Sequence, residues 1–318
     1  MLQGRRGAAI VAVCAVVVAA CGSTTPAPVK ASPVIARVSS DTITLAQFDV
    51  RYQSAYTSIV QGGGSGGGAA ITQLRAAILR SLILDTVIRE EAAKLGLEAT
   101  SKEVAADIAT DAHQAGGMNA LKAELAGAGG SIAQLEDEIS SNLNEQRLED
   151  VFAQQRVAVV EQQLASGANF IATAKNFSDD SGTTGTATKG GDLGVLTAAE
   201  LKKYDPAFVA AVKSLRVGAY TRAPVHDAGG YDIVMLYSKT AGGWGVRHIL
   251  IYAGNPYNVT DRPNWFTEAL FSQVDQLCKA NQIEVTLTNA GGNPCTAPSP
   301  TPAPASPSPK PTATAPAG

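Results

Sequence analysis

Few side chains in this 318-residue chain sit where they could do chemistry, and three of them draw the eye by context. His248 lies inside the apolar run Val246-Arg247-His248-Ile249-Leu250-Ile251, and Asp232 interrupts the alternating segment Gly230-Tyr231-Asp232-Ile233-Val234-Met235-Leu236. Asp180 closes the segment Phe177-Ser178-Asp179-Asp180 ahead of a Ser/Thr/Gly-rich loop. An imidazole titrates near neutrality and is well held by a carboxylate, so a histidine and an aspartate on neighbouring strands make a hydrogen-bonding pair. Taken by itself, Asp180 is a solvated loop carboxylate. His113 and His226 have no such context and read as surface residues. No metal-ligand spacing is present, and no cofactor is implied.

The elements that must position these residues come in two groups. Val34-Ile35-Ala36-Arg37-Val38 alternates as a short strand, and Thr42-Ile43 follows a turn. Thr44-Leu45-Ala46-Gln47 forms a capping box for a helix to about Val60. The Gly-rich stretch from Gln61 to Ala69 cannot hold a helix and predicts a loop. Ile71, Leu74, Ile78, Leu82 and Ile83 then recur at helical spacing as far as Leu95, with Gly96 as the stop. Thr100 and Ser131 head further helices, the second running toward Leu164. Residues 34–160 are thus a mostly helical region, whose apolar stripes read as helix-on-helix core or, in part, as open grooves for extended chain. Further on, Gly230 to Leu236 alternates as a half-buried strand should.

Five blocks between residues 169 and 252 together resemble the parvulin family of peptidyl-prolyl isomerases (PpiC-like). They are Asn169-Phe170 through Asp180, Gly190-Gly191-Asp192-Leu193-Gly194, Leu215-Arg216-Val217-Gly218, Gly230 to Met235, and Arg247-His248-Ile249-Leu250-Ile251. The strand, turn and capped helix from Val34 resemble the opening of the SurA-like chaperone region found ahead of extracytoplasmic parvulins such as PrsA-like lipoproteins. The resemblance implies an α+β fold: a helical SurA-like region, then a small antiparallel sheet flanked by helices over residues 161–290, C-terminal helix included. It also implies the activity. Rotating an X-Pro bond requires loss of amide resonance, a barrier of roughly 18–20 kcal/mol, and a catalyst must hold the twisted amide better than the planar one.

Carried over by motif, Asp180 falls at the family's catalytic Cys/Asp position, and Phe208 falls at the Phe of the proline pocket. Either Tyr204 or Leu201 takes the place of the pocket's Met, unless all three are ordinary helix core. Two departures stand out. Asp232 occupies the place of a family histidine. The Arg-His-Ile-Leu strand, which should precede Phe170, comes after the last strand. A circular permutation in which residues 246–252 supply the first strand accounts for this, since the two strands are antiparallel neighbours in the family and a Gly-rich hairpin can join them. The competing reading is a second, degenerate unit starting at Val246; only about 45 ordered residues would remain for it. Under permutation, a His248/Asp232 pair replaces the family's histidine pair.

The remaining features concern location. Lys+Arg total 25 against 28 Asp+Glu, which leaves no basic footprint for nucleic acid. Arg5, Arg6 and the apolar run to Ala20 read as a signal peptide over residues 1–20. Val18-Ala19-Ala20-Cys21 resembles a bacterial lipobox, the alternatives being an ordinary secretory signal or an uncleaved anchor. Cys21 would carry lipid, residues 21–33 would tether the chain, and the location expected is the outer face of a cell membrane. Cys278 and Cys295 are an even pair suited to a disulfide in an oxidising compartment. Residues 296–318 read as a disordered Pro-rich tail. The function expected is a membrane-anchored foldase for unfolded or newly exported proteins. The alternatives are a catalytically silent holdase or a structural lipoprotein.

Overall fold

The computed structural model describes residues 32–61, 68–181, 184–253, 263–287 and 291–296. The signal-like segment, Cys21, most of the tether, the glycines of the 62–67 stretch and the tail from 297 lie outside the described residues. In chain order, β1 (Val34–Val38) and β2 (Asp41–Thr44) precede α1 (Leu45–Gln61), α2 (Gly68–Lys94), α3 (Ser101–Gln114), α4 (Met118–Gly127), α5 (Ile132–Ala165) and α6 (Phe170–Phe177). Then come β3 (Asp192–Leu196), α7 (Ala198–Leu201), α8 (Pro206–Ser214), β4 (Val225–Asp227), β5 (Gly230–Thr240), β6 (Gly243–Tyr252), α9 (Asn264–Lys279) and β7 (Ile283–Val285). The fold is α+β. No helix among the described residues is long and apolar enough to cross a membrane.

Local chemistry sets the helix starts. At α1, the Gln47 side chain accepts from Thr44 N at 2.8 Å while Gln47 N donates to Thr44 Oγ1. At α3, Thr100 and Glu103 exchange the same two bonds, and Ser131 caps α5. Each satisfies amides that the first turn would otherwise leave bare. At 34 residues α5 is about 50 Å long by helix rise. Its length lets it serve three cores in turn: Ile132, Leu135, Ile139 and Leu143 pack with α3 and α4, Leu148 packs with Ile88 and Phe266, and Ala153, Val157, Val160 and Leu164 pack beneath the second sheet.

The N-terminal core is closed by the end of the chain. β1 lies between β2 and β7, all antiparallel, and Phe48, Leu79 and Ile83 pack there with Val274 and Ile283. The C-terminal helix, expected with the sheet at 161–290, belongs mainly here: Phe266, Leu270 and Val274 repeat every four residues and turn toward α2 and α5. Among its buried residues none joins the second sheet's core, to which it contributes the partly buried Trp265. Cys278 at its end is bonded to Cys295, with Cα atoms 5.3 Å apart.

The second sheet runs β3-β6-β5-β4, antiparallel throughout. β5 and β6 are joined by the Gly-rich turn, and pairing of Val234 with His248 and of Asp232 with Leu250 fixes the register. Side chains alternate across a strand, so this register puts Asp232, Val234, Val246 and His248 on one face. That face meets Leu201, Phe208 and Val212 of α7 and α8, while Ile233, Ile249 and Ile251 face α5 and α6.

Candidate active site

Asp232, His248 and Asp180 meet on the α8 face of the sheet. His248 Nδ1 lies 2.7 Å from Asp232 Oδ1, and Nε2 lies 3.1 Å from Asp180 Oδ2. The two strands supply the first pair through their register. Asp180 arrives from the loop after α6, whose peptide is drawn against β6 by the bond from Asp179 N to Leu250 O at 2.7 Å. Gly191 closes the opposite side: its backbone turns at φ 74°, its carbonyl accepts from His248 N at 2.9 Å, and a Cβ there would collide with the His248 carbonyl. Only glycine fits that approach. The Gly-Gly-Asp-Leu-Gly block is therefore the wall that backs the imidazole.

Thr186 completes the network and was not singled out from sequence. Its hydroxyl donates to Asp180 Oδ2 and accepts from His248 Nε2 at 3.0 Å, while its amide donates to the same Oδ2 at 2.9 Å. In the sequence it is one threonine in a loop rich in them, and nothing local marks it. All these bonds fall on Oδ2. Asp180 Oδ1 has no partner among the described residues, and the side chain is 26% exposed. That oxygen is the one open to a ligand.

Both ring nitrogens of His248 face acceptors, which calls for a doubly protonated ring. Burial alone would disfavour that charge, but the bonds to Asp180 and Asp232 outweigh it and push the pKa up to about 9. Asp180, bonded first to His248 and then to Thr186, is held down at about 2. Burial pushes Asp232 upward, against the pull of His248. At neutral pH the cluster is an imidazolium between carboxyl groups. The order hydroxyl, imidazole, carboxylate is also that of an acyl-transfer triad. An imidazolium cannot take the proton of Thr186, however, and that hydroxyl already donates to Asp180. Nucleophilic chemistry is not what this arrangement does.

The apolar side is built by α7 and α8. Asp205 caps α8, with Pro206 at its first turn, and Phe208 lands with its edge on the His248 ring, centroids 6.3 Å apart at 86°. Tyr204 stacks over Phe208 at 4.9 Å and 18°. Burial and the nearby Asp180 carboxylate push the Tyr204 phenol upward, so it keeps its proton. Phe208 is only 1% exposed. Leu201, offered from sequence as an alternative pocket wall, is also 1% exposed and packs with Phe208 in the core between α7, α8 and the sheet. His226 is exposed against the Tyr231 ring, and His113 is exposed on α3. Among the described residues no group of three or more His, Cys, Asp or Glu is placed to hold a metal.

Comparison with known proteins divides the chain in the same way. Residues 3–149 match the SurA-like N-terminal domain, and residues 133–238 match the PPIC-type PPIASE domain. The second match ends before β6, the strand that carries His248. No curated protein matches. Among solved structures, the foldase protein PrsA from Streptococcus pneumoniae str. Canada MDR_19A aligns over 82% of this chain and 97% of that chain, with 14% identity and a TM-score of 0.28.

Proposed function

Given that the chain carries a PPIC-type PPIASE domain behind a SurA-like N-terminal domain, we propose that it is an extracytoplasmic, lipid-anchored foldase that isomerises X-Pro bonds in exported polypeptides. The observation that carries the reading is His248 fixed between Asp180 and Asp232 with its ring against Phe208. A proline ring seats against Phe208, and the preceding carbonyl turns past Asp180. Planarity of the amide depends on a resonance form with negative charge on that oxygen. A carboxylate whose free Oδ1 lies beside it disfavours that form more than it disfavours the twisted amide, which is the differential binding that catalysis needs. His248 and Thr186 keep Asp180 ionised and aimed.

We read β6 as the family's opening strand, supplied from the C-terminal side. Its place between β3 and β5, antiparallel to both, supports this. The rival second unit at Val246 would have to be built from α9 and β7, which are committed to the N-terminal core. Anchoring rests on the lipobox-like sequence at Cys21, and the Cys278–Cys295 bridge suits an oxidising compartment. Cys21→Ser should move the protein from the membrane fraction to the soluble one; an unchanged distribution removes the anchor.

The test of activity uses the full chain and a proline peptide. Asp180→Ala should slow isomerisation by about tenfold or more, with an unchanged circular dichroism spectrum. Wild-type rates in the variant would sink the site. A silent holdase is the second reading, favoured by Tyr204 lying over Phe208 where the proline should stack. It predicts suppressed client aggregation with no acceleration of cis/trans exchange by the wild-type chain.

A further inference from the structure

The residue before Asp180 makes no bond to His248, yet it is tied to β6 and to α9 and lies near a buried charge. Asp179 Oδ2 accepts from Tyr252 N at 3.0 Å and from Trp265 Nε1 at 2.8 Å. Asp179 N and the Ser178 hydroxyl oxygen bond the carbonyl and amide of Leu250 at 2.7 and 3.1 Å. β3 pairs with β6 only from Trp244 to Arg247, so residues 178–179 take over that edge of β6 where β3 stops. Asp180 is the next residue along.

The buried charge is on α5. The Arg156 guanidinium, on α5, lies 5.1 Å from the Phe177 ring and 5.7 Å from the Trp265 ring, and donates to the Phe177 carbonyl at 3.1 Å. Its Nε is buried with no partner among the described residues. A cation is not kept there for packing alone, since desolvating it is costly. Burial lowers the pKa of Arg156 and raises that of Asp179, and each charge offsets the other's penalty. Trp265 belongs to the first turn of α9, a helix of the N-terminal core.

Resting on the reading of Asp180 given above, we propose that Asp179, Arg156 and Trp265 are positioning residues for Asp180, and that through them α9 sets the geometry of the isomerase site. A single peptide bond links Asp179 to a residue whose carboxylate must stay within hydrogen-bond reach of His248. A shift of about 1 Å in the loop would open that bond and cost rate without touching the pocket for proline.

Trp265→Phe tests this in the full chain, because it keeps an aromatic ring beside Arg156 and deletes the donor to Asp179. The kcat for a proline peptide should fall about fivefold to tenfold with KM unchanged. By NMR, the His248 titration should move down from about 9 as its Asp180 partner loosens. If Trp265→Phe does not fold, Asp179→Asn, which keeps an acceptor, reads the same two quantities. Loss of activity in Asp180→Ala beside wild-type kcat and His248 titration in Trp265→Phe would overturn the positioning role alone. A silent Asp180→Ala would overturn the site and this proposal together.

Discussion

The two halves of this molecule bury different things. The core of β1, β2, β7, α1, α2 and α9 is made of Ile, Val, Leu and Phe, and its ion pairs, such as Arg51 with Asp85 and Arg89 with Asp41, stay at the partly exposed rim. The sheet of β3 to β6 buries Asp232 and His248 at 4% and 7% exposure, in the face that also holds Val234 and Leu236. Buried charges of this kind cost stability unless every partner is present. The first half also buries polar groups, Asn144, Glu145 and Glu149 on α5, whereas the second brings its buried Asp232 together with His248 and Asp180 around one imidazole.

That contrast can be broken by substitution. Phe266→Ala, in the apolar seam between α9, α2 and α5, should lower stability by about 3–5 kcal/mol in chemical denaturation. If it lowers the melting point of the sheet as much as that of the helices, the two halves unfold as one. Tyr204→Met should have a smaller effect of opposite sign, on activity: thinning the cover over Phe208 should raise kcat/KM for a proline peptide about threefold, less than the roughly tenfold that one full apolar contact can supply. Unchanged or lower kcat/KM would mean that Tyr204 is part of the pocket and not its cover.

The mildest test is pH. His248 is raised to about 9 in the folded chain, so the stability from its pairing is complete below about 6.5, its unfolded value, and drains away as pH climbs through 9. Asp232, also raised by burial, works in the same direction. Asp180, held at about 2, contributes above 3.8 and is lost only as pH falls toward 2. Amides of β5 and β6 should therefore lose hydrogen-exchange protection between pH 7 and 10, after correction for the intrinsic exchange rate, while those of α2 do not. Equal loss in both would remove the distinction.

What the sequence made legible was whatever depends on near neighbours. Thr44, Thr100 and Ser131 announce helix starts because capping is a matter of three residues. The alternation of β5 and β6 was enough to place Asp232 beside His248 once the two strands were taken as a hairpin. The amphipathic stripe of Phe266, Leu270 and Val274 is just as visible, but a stripe does not say which core it will cover, and here it lies mainly against α2 and α5. Thr186, Arg156 and Trp265 were missed for the same reason. Thr186 matters through Asp180 and through His248, 62 residues on, Trp265 through Asp179, 86 residues back, and Arg156 through a carbonyl 21 residues on. No local pattern records that.

The pairing of β1 with β7 ties residue 36 to residue 285. A chain made and delivered from its N-terminus must therefore keep its opening hairpin waiting, one edge bare, until nearly everything else has emerged. Helix and sheet can form early from short-range encounters, but the pairing of these two ends spans some of the longest sequence separation among the described residues and is slow to find. A protein read here as a helper of unfinished chains spends its own synthesis as one.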